Sequence, residues 1–493
     1  MKAWRGPILI AHLVVVSMIL AACGGTPTGP NWGGGSSSGS GGSGGSGGTS
    51  GTLPISFLVS SAPSSIPANI SVLSFSVNIS KITLTSQATG KTFDFTPTNP
   101  VLDLNKQLSD SAYLGTGTFP DDAYSGVQLS ISSSRLVYCT STLGVPGCNA
   151  GAIQTVTGGT AVVPFNFSQP TLGPSATGIG VRFGFHMGNV IVLNSGGTAV
   201  QSIDFVNTLA ALGESLPSAT NLGTGQLDYI EDLTGVVTSV GASTIKLQTA
   251  FAGTITADVA PTSNFAIPPC ANNDISCVQV GQVADMDAIL NADGTFTLVL
   301  FDPIDSTSND WVEGVVGYAP TSASQFQLVV SNFVPATTGS KIGTSLLLGD
   351  PVTVNISSGV SFAIDGKNLS VPANSFAGAQ DTSALFPGQV VAVRASSFTA
   401  ASGATPASLT ADTLTLRFSR LSGNPSTAGP NFQFLPAGPY LGIQNVATTY
   451  ETTGVTNYDL ASPGSSVTAN QLVGIRALYL GPNIGFTIAK VRQ

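Results

Sequence analysis

The chain has 493 residues, 16 of them Lys or Arg and 25 Asp or Glu, for a formal charge of −9. Charged residues make up 8% of it and hydrophobic ones 42%, against about 25% charged in an ordinary soluble domain. This balance excludes charged disorder, a helical bundle, a coiled coil and a basic nucleic-acid binder. It leaves an all-β chain of many short strands with hydroxyl-rich outer faces.

In chain order, the basic start Met1-Lys2-Ala3-Trp4-Arg5 precedes an apolar run from Ile8 to Ile19 and then Leu20-Ala21-Ala22-Cys23. The run is roughly a dozen residues, short of the ~20 a helix needs to cross a bilayer. It has the length of a signal-peptide core. A Cys directly after Leu-Ala-Ala resembles the lipobox of bacterial lipoproteins. That resemblance implies removal of residues 1–22 and acylation of Cys23, two or more chains giving stable anchorage where one does not. It implies a membrane partner reached through lipid on Cys23. Gly24 stands where enteric lipoproteins retained at the inner membrane carry Asp, which points to an outer-membrane lipoprotein facing the periplasm or the cell surface.

Residues 23–52 are the lipidated Cys and a Gly/Ser-rich tether, too poor in apolar surface to offset its ordering entropy. As a random coil it has an r.m.s. span of about 30 Å. Gly41-Gly42-Ser43-Gly44-Gly45 matches the nucleophile-elbow pattern and Gly39 to Gly44 the dinucleotide-binding pattern. Neither has a strand before it or a helix after it, so both are accidents of composition.

Residues 53–207 read as a β-sandwich. Between Ile70 and Ser80 apolar residues alternate with one slip of phase after Val72, the mark of a bulged strand. A short helix is expected after Asp103, and Tyr124 is expected to be a packing tyrosine with a backbone partner. The early strand pair, Leu102-Asp103-Leu104, the Pro120…Tyr124…Val127-Gln128-Leu129 turn and the Gly180…Phe183…Phe185 strand together resemble an uncharacterised domain family. That family is common at the N-terminus of lipoproteins from environmental Gram-negative bacteria. The resemblance implies a sandwich and no assigned activity.

Residues 208–227 read as a connector, with Val206 to Leu216 a candidate helix. Two or three β-barrel-like repeats follow at 228–307, 308–420 and 421–493, the third expected to be either a full copy or an incomplete one. Leu233-Thr-Gly235-Val-Val237 is echoed by Val312-Glu-Gly314-Val-Val316. Val280-Gly281-Gln282-Val283, Pro387-Gly388-Gln389-Val390 and Ala469-Asn470-Gln471-Leu472 open similar strands, with Asn470 where the other two have Gly. The strand-Gly-Gln-Val-strand arrangement resembles an uncharacterised family of short β-barrel repeats in exported bacterial proteins.

Four cysteines remain. Cys139 and Cys148, and Cys270 and Cys277, flank turn-rich segments, and an oxidising compartment makes local disulfides the expectation. Each is worth roughly 2.5 kcal/mol on the chain-entropy argument. A four-Cys zinc site is disfavoured by spacing. Beyond Met1–Ala22 the chain has one histidine, His186, so no Ser-His-Asp, Cys-His or histidine-rich metal site is supported.

Carboxylates are the remaining acid–base groups. Asp285-Met286-Asp287 places two acids on one strand face and Asp293 lies in the next turn, a candidate calcium set. Asp302, Asp305, Asp310 and Glu313 gather between the first two repeats, beside Trp311, read as an inter-domain packing residue. No catalytic residue, cofactor or resident metal is assigned. The expectation is a non-enzymatic structural or binding role with a glycan or envelope-protein partner and no nucleic acid. The alternative is a carboxylate-based hydrolase of envelope or environmental polysaccharide.

Overall fold

A computed structural model describes residues 51–492 apart from 63–65, 67–68, 99, 141–146, 150–151, 167–178, 206–208, 213–224, 250, 267–273, 306–308, 337, 368, 429–430, 437–447 and 460–466. The expected signal segment, Cys23, the expected tether up to residue 50 and Cys270 therefore lie outside the described residues, while Thr52, expected to end the tether, already pairs with Pro120 in the first strand.

The first module is a sandwich. Its strands are β1 (Thr52–Ala62), β2 (Ile70–Ser86), β3 (Thr92–Phe95), β4 (Val101–Asp103), β5 (Ala112–Pro120), β6 (Tyr124–Thr140), β7 (Ile153–Gly158), β8 (Ala161–Asn166), β9 (Ile179–His186), β10 (Ile191–Leu193), β11 (Val200–Ile203) and β12 (Leu209–Leu212). One sheet runs β12-β9-β1-β5, with β1 and β9 parallel; the other is built on the long pair β2–β6. Alternating residues such as Phe57, Phe75, Leu129 and Phe183 meet between the two sheets in one core. The β2–β6 register slips between Val72 and Ser74, where the sequence pattern changes phase. A short 3-10 helix, Leu104–Gln107, follows Asp103, whose carboxylate caps it through the Asn105 amide. The Tyr124 hydroxyl donates to the Pro120 carbonyl at 2.7 Å, tying the turn to the strand it enters.

The candidate helix at Val206 to Leu216 is corrected: its described residues, Leu209–Leu212, form β12, an edge strand antiparallel to β9. Leu-Ala-Ala-Leu favours helix intrinsically, but the unpaired edge of β9 offers ladder hydrogen bonds that local propensity does not foresee.

Three closed five-stranded barrels follow. Barrel 1 comprises β13 (Gln226–Val240), β14 (Thr244–Thr249), β15 (Thr254–Phe265), β16 (Val283–Asn291) and β17 (Phe296–Asp305). Barrel 2 comprises β18 (Asp310–Val316), β19 (Gln325–Val334), β20 (Pro351–Ile364), β21 (Val390–Thr399) and β22 (Ala407–Arg417). Barrel 3 comprises β23 (Ser419–Pro425), β24 (Asn431–Pro436), β25 (Thr448–Asp459), β26 (Val473–Tyr479) and β27 (Phe486–Arg492). In each, the strands are ordered first-second-third-fifth-fourth and close back on the first, with the third and fifth parallel. This is a five-stranded Greek-key barrel of the OB type.

The likeness of the barrels extends to single residues. The third strand carries the same long bulge each time, between Val259 and Asn264, Ile356 and Ser361, and Thr452 and Asn457. A Cβ on Gly235 would stand 2.3 Å from the Gln248 carbonyl oxygen, and one on Gly314 2.3 Å from that of Val329. Gly281, Gly388 and Asn470 all have positive φ, at 92°, 89° and 65°. Each donates its amide to a carbonyl two residues past the repeat's first-strand glycine: Val237, Val316 and Pro425. Asparagine is among the few side chains that tolerate this region, so Asn470 does the work of the missing glycine and barrel 3 closes like the others.

Candidate functional site

Barrels 1 and 3 bury their fourth strand on both faces. In β16, Ala284, Met286, Ala288 and Leu290 point into the barrel core, while Asp285 and Asp287 on the opposite face are also buried. In β26, Val473, Ile475 and Ala477 point inward and Arg476 outward, yet only 3% of the Arg476 side chain is exposed. The outward faces are covered because the modules pack against one another there, within one compact unit. Charges placed on those faces meet between modules.

Asp232 is the centre. It sits in the bulge of β13 at φ +54°, a strained setting for a non-glycine residue. Its carboxylate takes Arg476 at 2.8 Å, Lys367 at 3.0 Å and Arg420 in close contact. Around it, Arg417 pairs with Asp285 at 2.6 Å, with Glu313 at 3.3 Å and with Asp365. Lys106 of the sandwich reaches Glu313 at 2.6 Å. Asp110 of the sandwich takes Arg420 at 3.1 Å and Lys490 at 3.5 Å, and Glu231 takes Arg476 at 2.9 Å and Lys490 at 3.1 Å. All four modules contribute to this one network. Arg476 also lies 4.0 Å over the ring of Phe418, a cation–π contact with the residue that links barrels 2 and 3 and packs in the core of barrel 2.

Burial would raise the Asp232 carboxyl, but Arg476, Lys367, Arg420 and Arg417 outweigh it and hold the group well below the usual carboxylate range. Burial would likewise lower the Lys367 ammonium, but Asp232, Asp285 and Asp287 hold it well above its ordinary value. Glu231 goes the other way. Burial dominates over Arg476 and Lys490, and with Asp110 and Asp287 adding repulsion its carboxyl is pushed up to about 7. Burial and the neighbouring Asp285 raise Asp302 to about 6.

The candidate calcium set is placed as follows. Asp285 and Asp287 come together, but the third carboxylate beside them is Asp232, the three lying within 4.8 Å of one another. Asp293 is not among them. It is exposed in the β16–β17 hairpin, where it accepts from the Thr295 amide at 3.0 Å and hydroxyl at 2.7 Å. The Lys367 ammonium lies amid the three acids, 2.7 Å from Asp287, 3.0 Å from Asp232 and 3.3 Å from Asp285. An organic cation thus occupies the position where the sequence suggested a metal.

The other flagged residues have structural surroundings. Cys139 and Cys148 form a disulfide, and the Cys148 amide donates to the Gly317 carbonyl of barrel 2 at 2.9 Å. Cys277 is also disulfide-bonded. Trp311 is 2% exposed and packs with Val283 of barrel 1 and with Val334 and Ala392 of barrel 2. Asp310 is buried and accepts from the amides of Ala336, Lys341 and Ile342 and from the Ser340 hydroxyl, shaping the loop after β19. His186 is half-buried at the end of β9, in register with Ala62 of β1. The side chain of Asp305 lies outside the described residues.

Sequence reasoning missed Lys106, Asp110, Glu231, Asp232, Lys367, Arg417, Arg420, Arg476 and Lys490. One signal for part of them was present. Asp232, Trp311 and Arg420 each stand three residues before the equivalent glycines Gly235, Gly314 and Gly423, so first and third repeats carry opposite charges at one position. Asp287 and Arg476 are a second such pair, each three residues beyond the partner of that glycine in the first–fourth strand register.

The fold and site together define a multi-module all-β protein whose modules are joined by a buried ionic network. Compared with known proteins, the chain matches no protein-family model, no curated protein and no solved structure.

Proposed function

We propose that this is a lipid-anchored cell-envelope protein of the outer membrane, held by acyl chains on Cys23 and serving a non-enzymatic structural or binding role toward a glycan or an envelope protein. The anchor reading rests on Leu20-Ala21-Ala22-Cys23 after an apolar run of signal-peptide length. The single observation that carries the non-enzymatic reading is the Lys367 ammonium amid Asp232, Asp285 and Asp287. Among the described residues, the three carboxylates that cluster within 4.8 Å of one another are already neutralised by a lysine from another module, and they join modules rather than face a substrate. The sandwich and the N-terminal motif fit the lipoprotein resemblance, and the acidic balance disfavours nucleic acid.

Metabolic labelling with a fatty-acid analogue tests the anchor: label is expected on the native chain and lost in Cys23→Ser. Label persisting in that variant would overturn the assignment. Turnover of an envelope or environmental polysaccharide, abolished by neutralising one acid, would overturn the non-enzymatic reading.

A further inference from the structure

The Cys139–Cys148 disulfide packs outside the core of the module that carries it. Both cysteines belong to the sandwich, one near the end of β6 and the other shortly before β7. The apolar cluster around them is shared between modules: Val137 of the sandwich, Val315 and Val390 of barrel 2, and Leu421 and Tyr479 of barrel 3. The sandwich's own core, around Phe57, Phe75 and Phe183, is a separate cluster.

The bond fixes a docking edge. Cys139 is in ladder register with Ser71 of β2 and Ile153 of β7, so it ties Cys148, and Gly147 before it, to the long strand pair of the sandwich. The Cys148 amide donates to the Gly317 carbonyl just past β18 at 2.9 Å. Gly147 has φ +76°. A Cβ there would stand 2.5 Å from the Cβ of Pro387 and 2.9 Å from the Gly317 carbonyl oxygen, so only a glycine lets the backbone lie flush on the turn before β21. That turn is gripped from other sides as well. The Gly388 amide donates to the Val316 carbonyl at 2.8 Å, and the Gln389 side-chain amide donates to the Tyr479 carbonyl of barrel 3 at 2.9 Å. A short segment of the sandwich thus bears on the turn where barrel 2 meets barrel 3.

We propose that this disulfide is a redox-set clamp between modules: closed, it seats Gly147 and Cys148 on Gly317 and the 387–389 turn, and opened, it loosens that seam while the sandwich keeps its fold. Closing it takes the two cysteine thiols and the disulfide of an exchange partner. One S–S bond forms in the chain, one breaks in the partner, and two electrons and two protons leave on the partner as its dithiol. Opening is the reverse, driven by a dithiol reductant. The cause is entropic. The covalent link keeps the docking segment near its seat, and without it the segment has to be ordered afresh each time it docks.

The test is amide hydrogen exchange on the full chain in detergent, comparing the oxidised protein with Cys139→Ala/Cys148→Ala, which leaves the Cys277 disulfide intact. Amides at 315–318 and 386–390 are expected to exchange about tenfold faster or more in the variant, with the paired stretches 75–84 of β2 and 127–131 of β6 unchanged. The native chain treated with dithiothreitol is expected to show the same acceleration at the seam. Gly147→Val, which displaces the seat but not the bond, should reproduce it with no gain of free thiol. Acceleration confined to 139–153 would make the bond a local staple and overturn the proposal. Uniform acceleration across the sandwich and all three barrels would overturn it too, as a general loss of stability, and so would a seam unchanged by reduction.

Discussion

Lys367 concentrates at one residue what distinguishes this interior from an ordinary core. Its backbone adopts φ +47°, a conformation costly for a side chain with a Cβ. From there its ammonium reaches two carboxylates of β16 and one of β13. Removing one member of a buried ion pair leaves the other charged and unsolvated, at a cost of about 3–5 kcal/mol. Lys367→Met is therefore expected to lower stability by about that amount in urea unfolding. Adding Asp287→Asn should recover part of the loss, since one of the stranded acids is then neutral. Additive losses in the double variant would show that the two groups do not interact. None of this could be read from the sequence: Ile364-Asp-Gly-Lys367 looks like a turn, and a turn lysine is ordinarily solvated. Only the docking of barrel 2 on barrel 1, a contact across some eighty positions of chain, gives the side chain its role.

At the scale of the element, legibility follows how local the cause is. The phase slip in β2, the cap at Asp103, the Cys139–Cys148 bridge and the Tyr124 anchor each involve neighbours in the chain or a single hairpin, and each could be anticipated from pattern. The strand at Leu209–Leu212 and the two-sided burial of β16 and β26 depend on distant partners and could not. Asn470 lies between these cases, because its repeat position was visible while its backbone conformation was not. Its φ of +65° matches Gly281 and Gly388, and replacing Asn by Gly where φ is positive relieves strain but frees the unfolded chain. Asn470→Gly should therefore leave stability within about 1 kcal/mol, whereas Asn470→Val, β-branched at positive φ, should cost more than that. Equal unfolding midpoints for the two variants would mean that the turn does not demand the left-handed conformation. A tighter constraint lies at Gly474, where a Cβ would come within 2.0 Å of the Leu108 carbonyl oxygen. Barrel 3 meets the sandwich backbone to backbone there.

For the whole molecule, the interior charge network makes stability depend on pH from two opposing sides. Asp110 and Asp232 are buried, but Arg and Lys neighbours outweigh the burial and hold both carboxyls below their ordinary range. Burial is likewise outweighed at Asp228, chiefly by Arg182, which brings that group to about 2. The contribution of these three groups is present above the unfolded carboxylate range and is lost as pH falls through their depressed values. Glu231 faces Asp110 of the sandwich, Asp287 of β16, Arg476 of β26 and Lys490 of β27. With its carboxyl raised to about 7 it binds its proton more tightly folded than unfolded, so its contribution is full below about 4.5 and lost as pH rises through about 7. Asp302, raised to about 6, acts in the same direction. The urea midpoint should accordingly peak at mildly acidic pH, near 4–5, fall steeply below that and decline more gently toward pH 8. Glu231→Gln, neutral at every pH, should flatten the alkaline decline and leave the acid limb in place. A midpoint that rises steadily from pH 5 to 8 in the native chain would mean that Glu231 ionises freely. The modules would then be joined by charges open to water rather than by a sealed network.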